Sequence, residues 1–189
     1  MVNTNSIASF FKEIAQTGLV SLLIFLLVYV FLVQPHRVKG ESMIPNFLDG
    51  ELLLTEKVNY RFGKPKRGDV VVFRAPTPQK VDFIKRIIGM PGENIEIANG
   101  TIFINGVELD EPYETQKTEG DLSITIGKDQ YFVLGDNRRS SSDSRVFGSI
   151  DKKSIKGRSW LVYWPVIGND KSRGSRIVSR VEYSIPDSF

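Results

Sequence analysis

Three short segments of the sequence carry side chains that could do chemistry. The first, Gly40–Pro45, places Ser42 between a glycine and a proline-fixed turn, where its hydroxyl would be exposed and available as a nucleophile. The second, Val81–Gly92, contains Lys85, and the third, Gly135–Arg145, is a run of charged and hydroxyl-bearing residues. An ordinary turn serine would look the same as Ser42, so the first segment indicates chemistry only together with the others.

Lys85 is the candidate proton acceptor. The pattern of the second segment predicts a strand that runs into a turn. Because side chains alternate along a strand, Lys85 shares its face with three apolar residues, Val81, Phe83 and Ile87, which we expect to exclude water. A buried ammonium is costly, so such a lysine either reaches water or loses its proton and becomes a general base. The alternative is a lysine whose stem lies on apolar surface while its ammonium group stays in solvent.

The third segment is a candidate support for a neighbouring site. It directly follows the predicted strand Gln130–Leu134 and contains three cations, two carboxylates and four hydroxyl groups in eleven residues. Such a loop can hold itself rigid through charge-assisted hydrogen bonds. A solvated polar loop fits the same composition.

The composition excludes several kinds of site. The chain has no cysteine, so disulfides, thiolate nucleophiles and cysteine-ligated zinc are excluded. Its single histidine, His36, excludes the usual zinc sites with two or three histidines. A serine hydrolase with a histidine base would have to use this same residue. We expect neither a metal nor an organic cofactor.

The charge is modest overall but uneven along the chain. A net charge of +3 without a nucleic-acid-binding motif predicts no nucleic-acid partner. Basic residues dominate from Lys57 to Arg86, and acidic residues dominate from Glu93 to Asp121. This pattern would suit a basic face near anionic lipid and an acidic lobe away from it, although unpatterned surface charge explains it almost as well.

An apolar run near the N-terminus predicts a membrane anchor. Gly18–Val33 contains no charged residue, and extended back to Ile14 it spans roughly 30 Å as a helix, enough to cross a bilayer. No small-residue cleavage site follows, which argues against a cleaved signal sequence, and a buried helix of a soluble protein is the other alternative. We expect a tail at residues 1–13, an anchor at 14–34 and a second domain at 35–189.

The second domain has the pattern of a β protein. Short apolar strands are predicted at 51–57, 69–74, 130–134 and 159–164. The clearest hairpin is Ile95–Ile104, with Asn99-Gly100 as its two-residue turn, and Asn105-Gly106 repeats the turn signal. Glu108–Lys128 is predicted to be an exposed loop or part of a small acidic lobe at about 93–128. The fold class is therefore mainly β, an antiparallel barrel or sandwich with one N-terminal transmembrane helix.

Together the three segments form a specific combination. The motif S-M-x-P close to an N-terminal anchor, then F-I-K-R-I-I-G-M-P-G, then G-D-N-R-x-x-S-x-D-S-R resembles bacterial type I signal peptidase, the membrane-bound leader peptidase. The resemblance implies a Ser/Lys endopeptidase with Ser42 as nucleophile and Lys85 as general base. It also implies supporting residues: Ser141 orients the lysine amine, Asp143 and Arg145 form a structural ion pair, and Asp136 is a nearby carboxylate.

The resemblance also implies the substrate and the location of the enzyme. The substrates would be exported preproteins whose signal peptides carry small residues at positions −1 and −3, and Val38, Phe83 and Ile84 are the candidate pocket walls. The catalytic domain would lie outside the cytoplasm with the N-terminus inside, although the cations that follow the span weakly oppose this orientation. A monomer is the default. A bacterial plasma membrane and an organellar membrane such as the thylakoid both remain open.

Two positions depart from the family pattern, and two other functions remain as alternatives. Gly40 stands where some members have a serine, which leaves the second oxyanion donor open, and Asn46 stands where threonine is frequent. A self-cleaving repressor-type Ser/Lys protease shares the dyad but needs a DNA-binding module where this chain has an apolar anchor. A non-catalytic membrane-tethered β module would function without Ser42 and Lys85.

Overall fold

The N-terminal helix differs from the rest of the chain in its exposure. The computed structural model of the protein describes residues 4–31, 33–57, 63–79, 81–111, 117–168 and 173–185. Helix α1 (Thr4–Phe31) contains an 18-residue window, Phe10–Leu27, with a mean hydropathy of 1.6 and none of its residues buried. Of the helices in the described ranges, it is the one long and apolar enough to span a membrane. An exposed helix of this composition fits the predicted anchor.

The remainder of the chain forms two antiparallel sheets, which confirms the predicted fold class. The larger sheet has the strand order β1-β2-β11-β3-β4-β9-β10, with β12 paired to β11. Its strands are β1 (Val33–Arg37), β2 (Leu52–Glu56), β3 (Val70–Arg74), β4 (Asp82–Gly89), β9 (Gln130–Leu134), β10 (Ile150–Asp151), β11 (Ile155–Trp164) and β12 (Arg176–Ile177). A short helix, α2 (Ser144–Phe147), and 3₁₀ turns at Arg138–Ser140 and Lys152–Ser154 lie in the connections.

The smaller sheet is the predicted meander with one strand added. It has the order β7-β6-β5-β8, from β5 (Asn94–Ala98), β6 (Thr101–Ile104), β7 (Val107–Glu108) and β8 (Leu122–Thr125). The predicted hairpin turn is confirmed: Asn99 and Gly100 have φ angles of 54° and 85°, the left-handed conformations that a tight two-residue turn requires.

Two sequence predictions differ from the structure. Within the segment predicted as a loop, Leu122–Thr125 forms β8, because Leu122 and Ile124 turn toward the core while Ser123 and Thr125 face solvent. Residues 112–116 of that segment lie outside the described residues. Strand β4 begins at Asp82, so Val81 lies before the strand with 44% of its surface exposed. Val81 therefore does not help to exclude water from Lys85.

Three apolar clusters hold the sheets together and meet near β4. One lies under the smaller sheet, around Ile95, Ile104 and Phe132, and a second joins residues of β2, β3 and β11 to the segment that follows β1. The third contains Phe73, Ile87, Tyr131 and Val133, with Phe83 packed at its margin. Strand β4 contributes to all of them, so a side chain on this strand has a nearly fixed position.

The pairing pattern leaves two strand edges open next to each other. Strand β1 is the first strand of the large sheet and pairs only with β2 among the described residues. Strand β9 pairs with the second half of β4, from Arg86 onward, so the first half of β4 has β3 on one side and no described strand on the other. The open edges of β1 and β4 border one cleft.

Candidate active site

The cleft brings together the predicted nucleophile and the predicted base. Ser42 lies in the turn that follows β1, and Lys85 lies in β4. A hydrogen bond of 2.6 Å joins Lys85 Nζ and Ser42 Oγ. The two residues are 43 positions apart in the sequence, so only the folded sheet creates this contact.

Lys85 lies in an environment that disfavours its charge. Only 4% of its surface is exposed, and its Nζ lies 5.4 Å from the centroid of the Phe83 ring. Burial lowers the pKa of Lys85 from 10.5 to about 8, although the negative charges of Asp143 and Asp136 act in the opposite direction. A substantial fraction of this amine is therefore neutral near pH 8 and can accept a proton.

The turn that carries Ser42 is fixed by its apolar neighbours and by the third motif. Met43 and Phe47 have 1% and 2% of their surfaces exposed, which anchors the turn in the core. The backbone N–H of Asn137 donates to the Ser42 carbonyl at 3.0 Å, and Asn137 Nδ2 donates to the Glu41 carbonyl at 3.2 Å. The hydroxyl of Ser42 is thus presented by a backbone held on both sides.

Gly135 is required where the third motif approaches this turn. A Cβ atom at Gly135 would lie 2.5 Å from the Ser42 carbonyl oxygen and even closer to Ser141 Oγ. No side chain larger than hydrogen fits between these groups. Gly135 is a site residue that the sequence prediction missed, and its place at the end of a buried strand was the available signal.

The loop of the third motif is held by the predicted ion pair. Arg145 Nε donates to Asp143 Oδ1 at 2.9 Å and its NH2 donates to Asp143 Oδ2 at 2.9 Å, a bidentate contact. Asp143 also accepts the Gly135 N–H at 3.1 Å. Burial alone would raise the pKa of Asp143, but the hydrogen bonds and the positive charge of Arg145, together with the neighbouring Ser141 hydroxyl and Gly135 N–H, outweigh it, so this pKa lies below its usual value.

A second set of contacts joins this loop to the connection between β7 and β8. Arg138 is buried, forms an ion pair with Glu111 at 2.5 Å and donates to the Thr118 hydroxyl. Arg145 adds a hydrogen bond of 3.2 Å to the Glu119 carbonyl. No pattern in the sequence indicates that Arg138 contacts these residues of the acidic lobe.

Asp136 belongs to a different buried contact. It accepts hydrogen bonds from Arg86 Nε at 2.8 Å and Arg86 NH2 at 2.7 Å. Its Oδ2 also accepts from Asn46 Nδ2 at 2.9 Å. Asp136 therefore contacts a residue of the base strand and a residue of the nucleophile turn.

The Oγ atom of Ser141 is buried next to Gly135 but has no hydrogen-bond partner among the described residues. Its hydroxyl lies close enough to Asp143 to favour the charged carboxylate, yet it does not reach hydrogen-bond geometry with any described group. The predicted contact between Ser141 and the lysine amine is not formed in this state. Its role in orienting the amine stays a prediction.

The three candidate pocket residues line the cleft with the dyad. Val38 is buried and Phe83 and Ile84 are half-buried, and with Leu53 and Val72 they give the cleft an apolar wall. The cleft volume is about 210 Å³. Its polar lining comes from a set of side chains at its margins: His36, Arg37, Lys39, Asp82 and Ser142.

His36 does not occupy the position of a base for Ser42. It lines the same cleft, but the hydrogen bond to Ser42 Oγ comes from Lys85. Burial lowers the pKa of His36, only partly offset by Asp82. Across the described ranges, no group of three histidine, aspartate or glutamate residues is arranged to hold a metal ion.

Comparison with known proteins decides which family this geometry belongs to. The sequence model described as signal peptidase, peptidase S26, matches residues 11–164. The chain belongs to the signal peptidase family. Its activity is the removal of signal peptides by a serine peptidase, as the three motifs predicted, and the apolar helix makes it a membrane-anchored member.

Relatives in this family cover most of the chain. Signal peptidase IB of Staphylococcus aureus is 39% identical over 165 residues, which cover 77% of this chain and 85% of that protein. A probable signal peptidase I-1 of Synechocystis is 34% identical over 164 residues, covering 82% of this chain and 84% of that protein. A crystal structure of a signal peptidase I from Enterococcus faecalis matches 50% of this chain and 96% of that chain, with 36% identity and a TM-score of 0.45.

Proposed function

We propose that Ser42 and Lys85 carry out the peptide-bond cleavage of this signal peptidase as nucleophile and general base. The observation that supports this most directly is the 2.6 Å hydrogen bond between Ser42 Oγ and the amine of a lysine that has only 4% of its surface exposed. A serine needs a base to attack a carbonyl, and the described part of the site offers this amine at the required distance.

The reaction is acyl transfer through a covalent intermediate. Neutral Lys85 takes the proton of Ser42, and the oxygen attacks the carbonyl carbon of the scissile bond. The protonated lysine then donates its proton to the leaving amine, and the carbon–nitrogen bond breaks to leave an ester on Ser42. Water, activated by the same amine, hydrolyses the ester and restores both residues.

The oxyanion of the tetrahedral intermediate needs hydrogen-bond donors. The backbone N–H of Ser42 has no acceptor among the described residues and is the first donor. The N–H of Gly40 donates to Asp49 Oδ1 at 2.8 Å, so this group is already engaged. A second donor would have to come from a rearranged backbone or from water, each such donor contributing about 3–4 kcal/mol to catalysis.

The open edges of β1 and β4 support an extended substrate. A signal-peptide segment that lies between them can pair its backbone with both strands, while its alternate side chains enter the apolar cleft. Val38, Phe83 and Ile84 leave a small volume, which favours small residues at positions −1 and −3 by excluding larger ones. Ser141, Asp143, Arg145 and Asp136 act as supports that hold the loop and turn around the dyad.

Paired alanine substitutions test this assignment. Ser42→Ala and Lys85→Ala, purified at full length in detergent, should each abolish cleavage of a purified preprotein because each removes one half of the dyad. Glu96→Ala, an exposed change on the smaller sheet, serves as the folded control with normal cleavage. Cleavage by either dyad variant at the rate of the control would contradict the assignment.

We further propose that the catalytic domain, bounded at about residues 35–189, is a monomer outside the cytoplasm and lies against the lipid surface. The outer face of β1, β2, β11 and β12 supports the lipid contact, since Pro35, Leu54, Leu161 and Ile177 are successive pairing partners across these strands. Of these, Ile177 has 69% of its surface exposed. The helix α1 leads almost directly into β1, so this face begins where the anchor ends.

Both tryptophans of the chain report on this lipid contact. Trp160 and Trp164 lie in β11 with 39% and 56% of their surfaces exposed. In vesicles, lipids with brominated acyl chains should quench their fluorescence, and water-soluble quenchers should do so only weakly. The reverse pattern would contradict the contact.

The proposed orientation has its own test. A tag at the N-terminus should be labelled only after intact cells are permeabilised, because a cytoplasmic N-terminus is not accessible from outside.

A further inference from the structure

The dyad depends on holding two distant chain segments in register. Ser42 belongs to a turn and Lys85 to a strand, and the hydrogen bond between them is a single contact of 2.6 Å. A displacement of about 1 Å between reacting groups can cost roughly 100-fold in rate. Some other contact must therefore fix the turn relative to the strand.

Asn46 and Asp136 form a bridge between these segments. Asn46 follows Ser42 by four residues in the same turn, and its Nδ2 donates to Asp136 Oδ2 at 2.9 Å. Asp136 accepts two further hydrogen bonds, of 2.8 and 2.7 Å, from Arg86, which is the residue after Lys85 in β4. The path runs from the nucleophile turn through one carboxylate to the base strand.

The bridge is partly independent of the fold's stability. Arg86 and Asp136 have 3% and 1% of their side-chain surfaces exposed, and their bidentate contact does not involve Asn46. Asn46 is only half-buried, and its carbonyl accepts a separate hydrogen bond of 2.6 Å from Arg176 NH2. Removing its amide therefore deletes the tie between the turn and the base strand, without leaving the buried cation unpaired and without removing the core contacts of the turn.

We propose that Asn46 is a positioning residue for the acyl-transfer step, which holds Ser42 Oγ against Lys85 Nζ by tying the nucleophile turn to the Asp136–Arg86 pair. This inference rests on the proposed function of the dyad. In the sequence, position 46 stands out only because it carries asparagine where threonine is frequent in the family, and the inference gives this asparagine a role. An amide that donates to a shared carboxylate is a strong, directional contact, because the acceptor is charged.

The test compares Asn46→Ala and Asn46→Asp in the full-length enzyme in detergent, with one purified preprotein as substrate. In Asn46→Ala we expect kcat to fall about 10-fold, with KM changed less than twofold, because the loss affects alignment and not the cleft. Asn94→Ala is the matched control: its amide is on the smaller sheet, 3.4 Å from Thr125 Oγ1, and kcat should not change.

The pH profile separates positioning from simple stabilisation. Asp136 and Asp143 are the two carboxylates whose charges raise the pKa of Lys85, and Arg86 and Arg145 pair with them. A carboxylate at position 46 adds negative charge beside Asp136, so the rising limb of kcat against pH should move to higher pH in Asn46→Asp. In Asn46→Ala the limb should stay near its original position while the plateau falls.

The outcomes separate this inference from the proposed function. Normal kcat in Asn46→Ala, together with inactive Ser42→Ala, would overturn the positioning role and leave the dyad intact. A low kcat that returns to normal when Asn46→Ala is assayed well below its melting temperature would also overturn it, since the effect would then be stability alone. A low plateau at every temperature, with the predicted shift in Asn46→Asp, supports it.

Discussion

Lys85 and Arg86 are neighbours on β4 that point to opposite faces of the sheet, and they are almost equally buried, with 4% and 3% of their surfaces exposed. On one face, Arg86 meets Asp136 in a bidentate contact. On the other face, Lys85 meets a serine hydroxyl and an aromatic ring. The two side chains are buried to nearly the same degree, but their charged groups and their partners differ.

The charged group and its partner together decide whether each side chain keeps its proton. Arg86 stays charged because a guanidinium keeps its proton at working pH and because its counter-charge is in direct contact. Lys85 has no carboxylate in hydrogen-bond contact among the described residues, so burial dominates and its pKa falls to about 8. One face of the strand thus holds a structural cation and the other a potential base.

The largest effect is expected when the amine at position 85 is replaced by a guanidinium. Lys85→Arg should reduce kcat/KM by at least about 10⁴-fold, because arginine keeps the positive charge but cannot accept a proton from serine. The measurement is cleavage of a preprotein in detergent. Lys156→Arg, in an ion pair of 2.6 Å with Asp82, is the matched control and should retain activity. Processing by Lys85→Arg at the control's rate would rule out a general base at this position.

On the face of β4 that carries Arg86, a substitution should lower the free energy of unfolding. Arg86→Met leaves Asp136 buried without its main counter-charge, and the free energy of unfolding should fall by about 3–5 kcal/mol. Urea unfolding at pH 7 measures this. Arg74→Met is the comparison, since Arg74 is 47% exposed in its pair with Asp82 and should cost less than about 1 kcal/mol. Equal losses in the two variants would mean that the buried pair contributes no more than a surface pair.

These two faces also show what could be predicted from the sequence. The apolar stripe around Lys85 and the turn at Asn99-Gly100 depend on local patterns, so both were predicted, apart from Val81. The partner of Arg86 lies 50 residues away, and the pairing that joins them depends on the register of β4 and β9. The contacts of Gly135 and Asn46 could not be predicted for the same reason. Each joins distant segments of the chain, and such a contact leaves no periodic pattern in the sequence.

The dependence of the cleavage rate on pH tests directly whether Lys85 acts as a base with a lowered pKa. The folded pKa of Lys85 is lowered from 10.5 to about 8, so the base is mostly protonated at pH 6 and mostly neutral above pH 8. We expect kcat/KM to rise roughly tenfold per pH unit between 6 and 8 and then to level off. A limb that continues to rise toward pH 10 would indicate a lysine with an ordinary pKa and would remove the distinction between the two faces.

On the face of β4 that carries Lys85, removal of the cation should raise the free energy of unfolding at pH 7, opposite to the loss expected for Arg86→Met. Below pH 8 the folded state carries a buried ammonium, and the lowering of the Lys85 pKa from 10.5 to about 8 corresponds to roughly 3 kcal/mol of lost stability. Lys85→Met should therefore unfold at higher urea concentration at pH 7, by about 2 kcal/mol once the lost hydrogen bond to Ser42 is deducted. Because the folded pKa lies below the unfolded one, the wild type recovers this stability as pH rises from 8 to 10.5, and the advantage of Lys85→Met should disappear over that range. A constant difference between the two proteins from pH 7 to pH 10.5 would mean that Lys85 titrates alike in the folded and unfolded chains, so burial would not be what makes it a base.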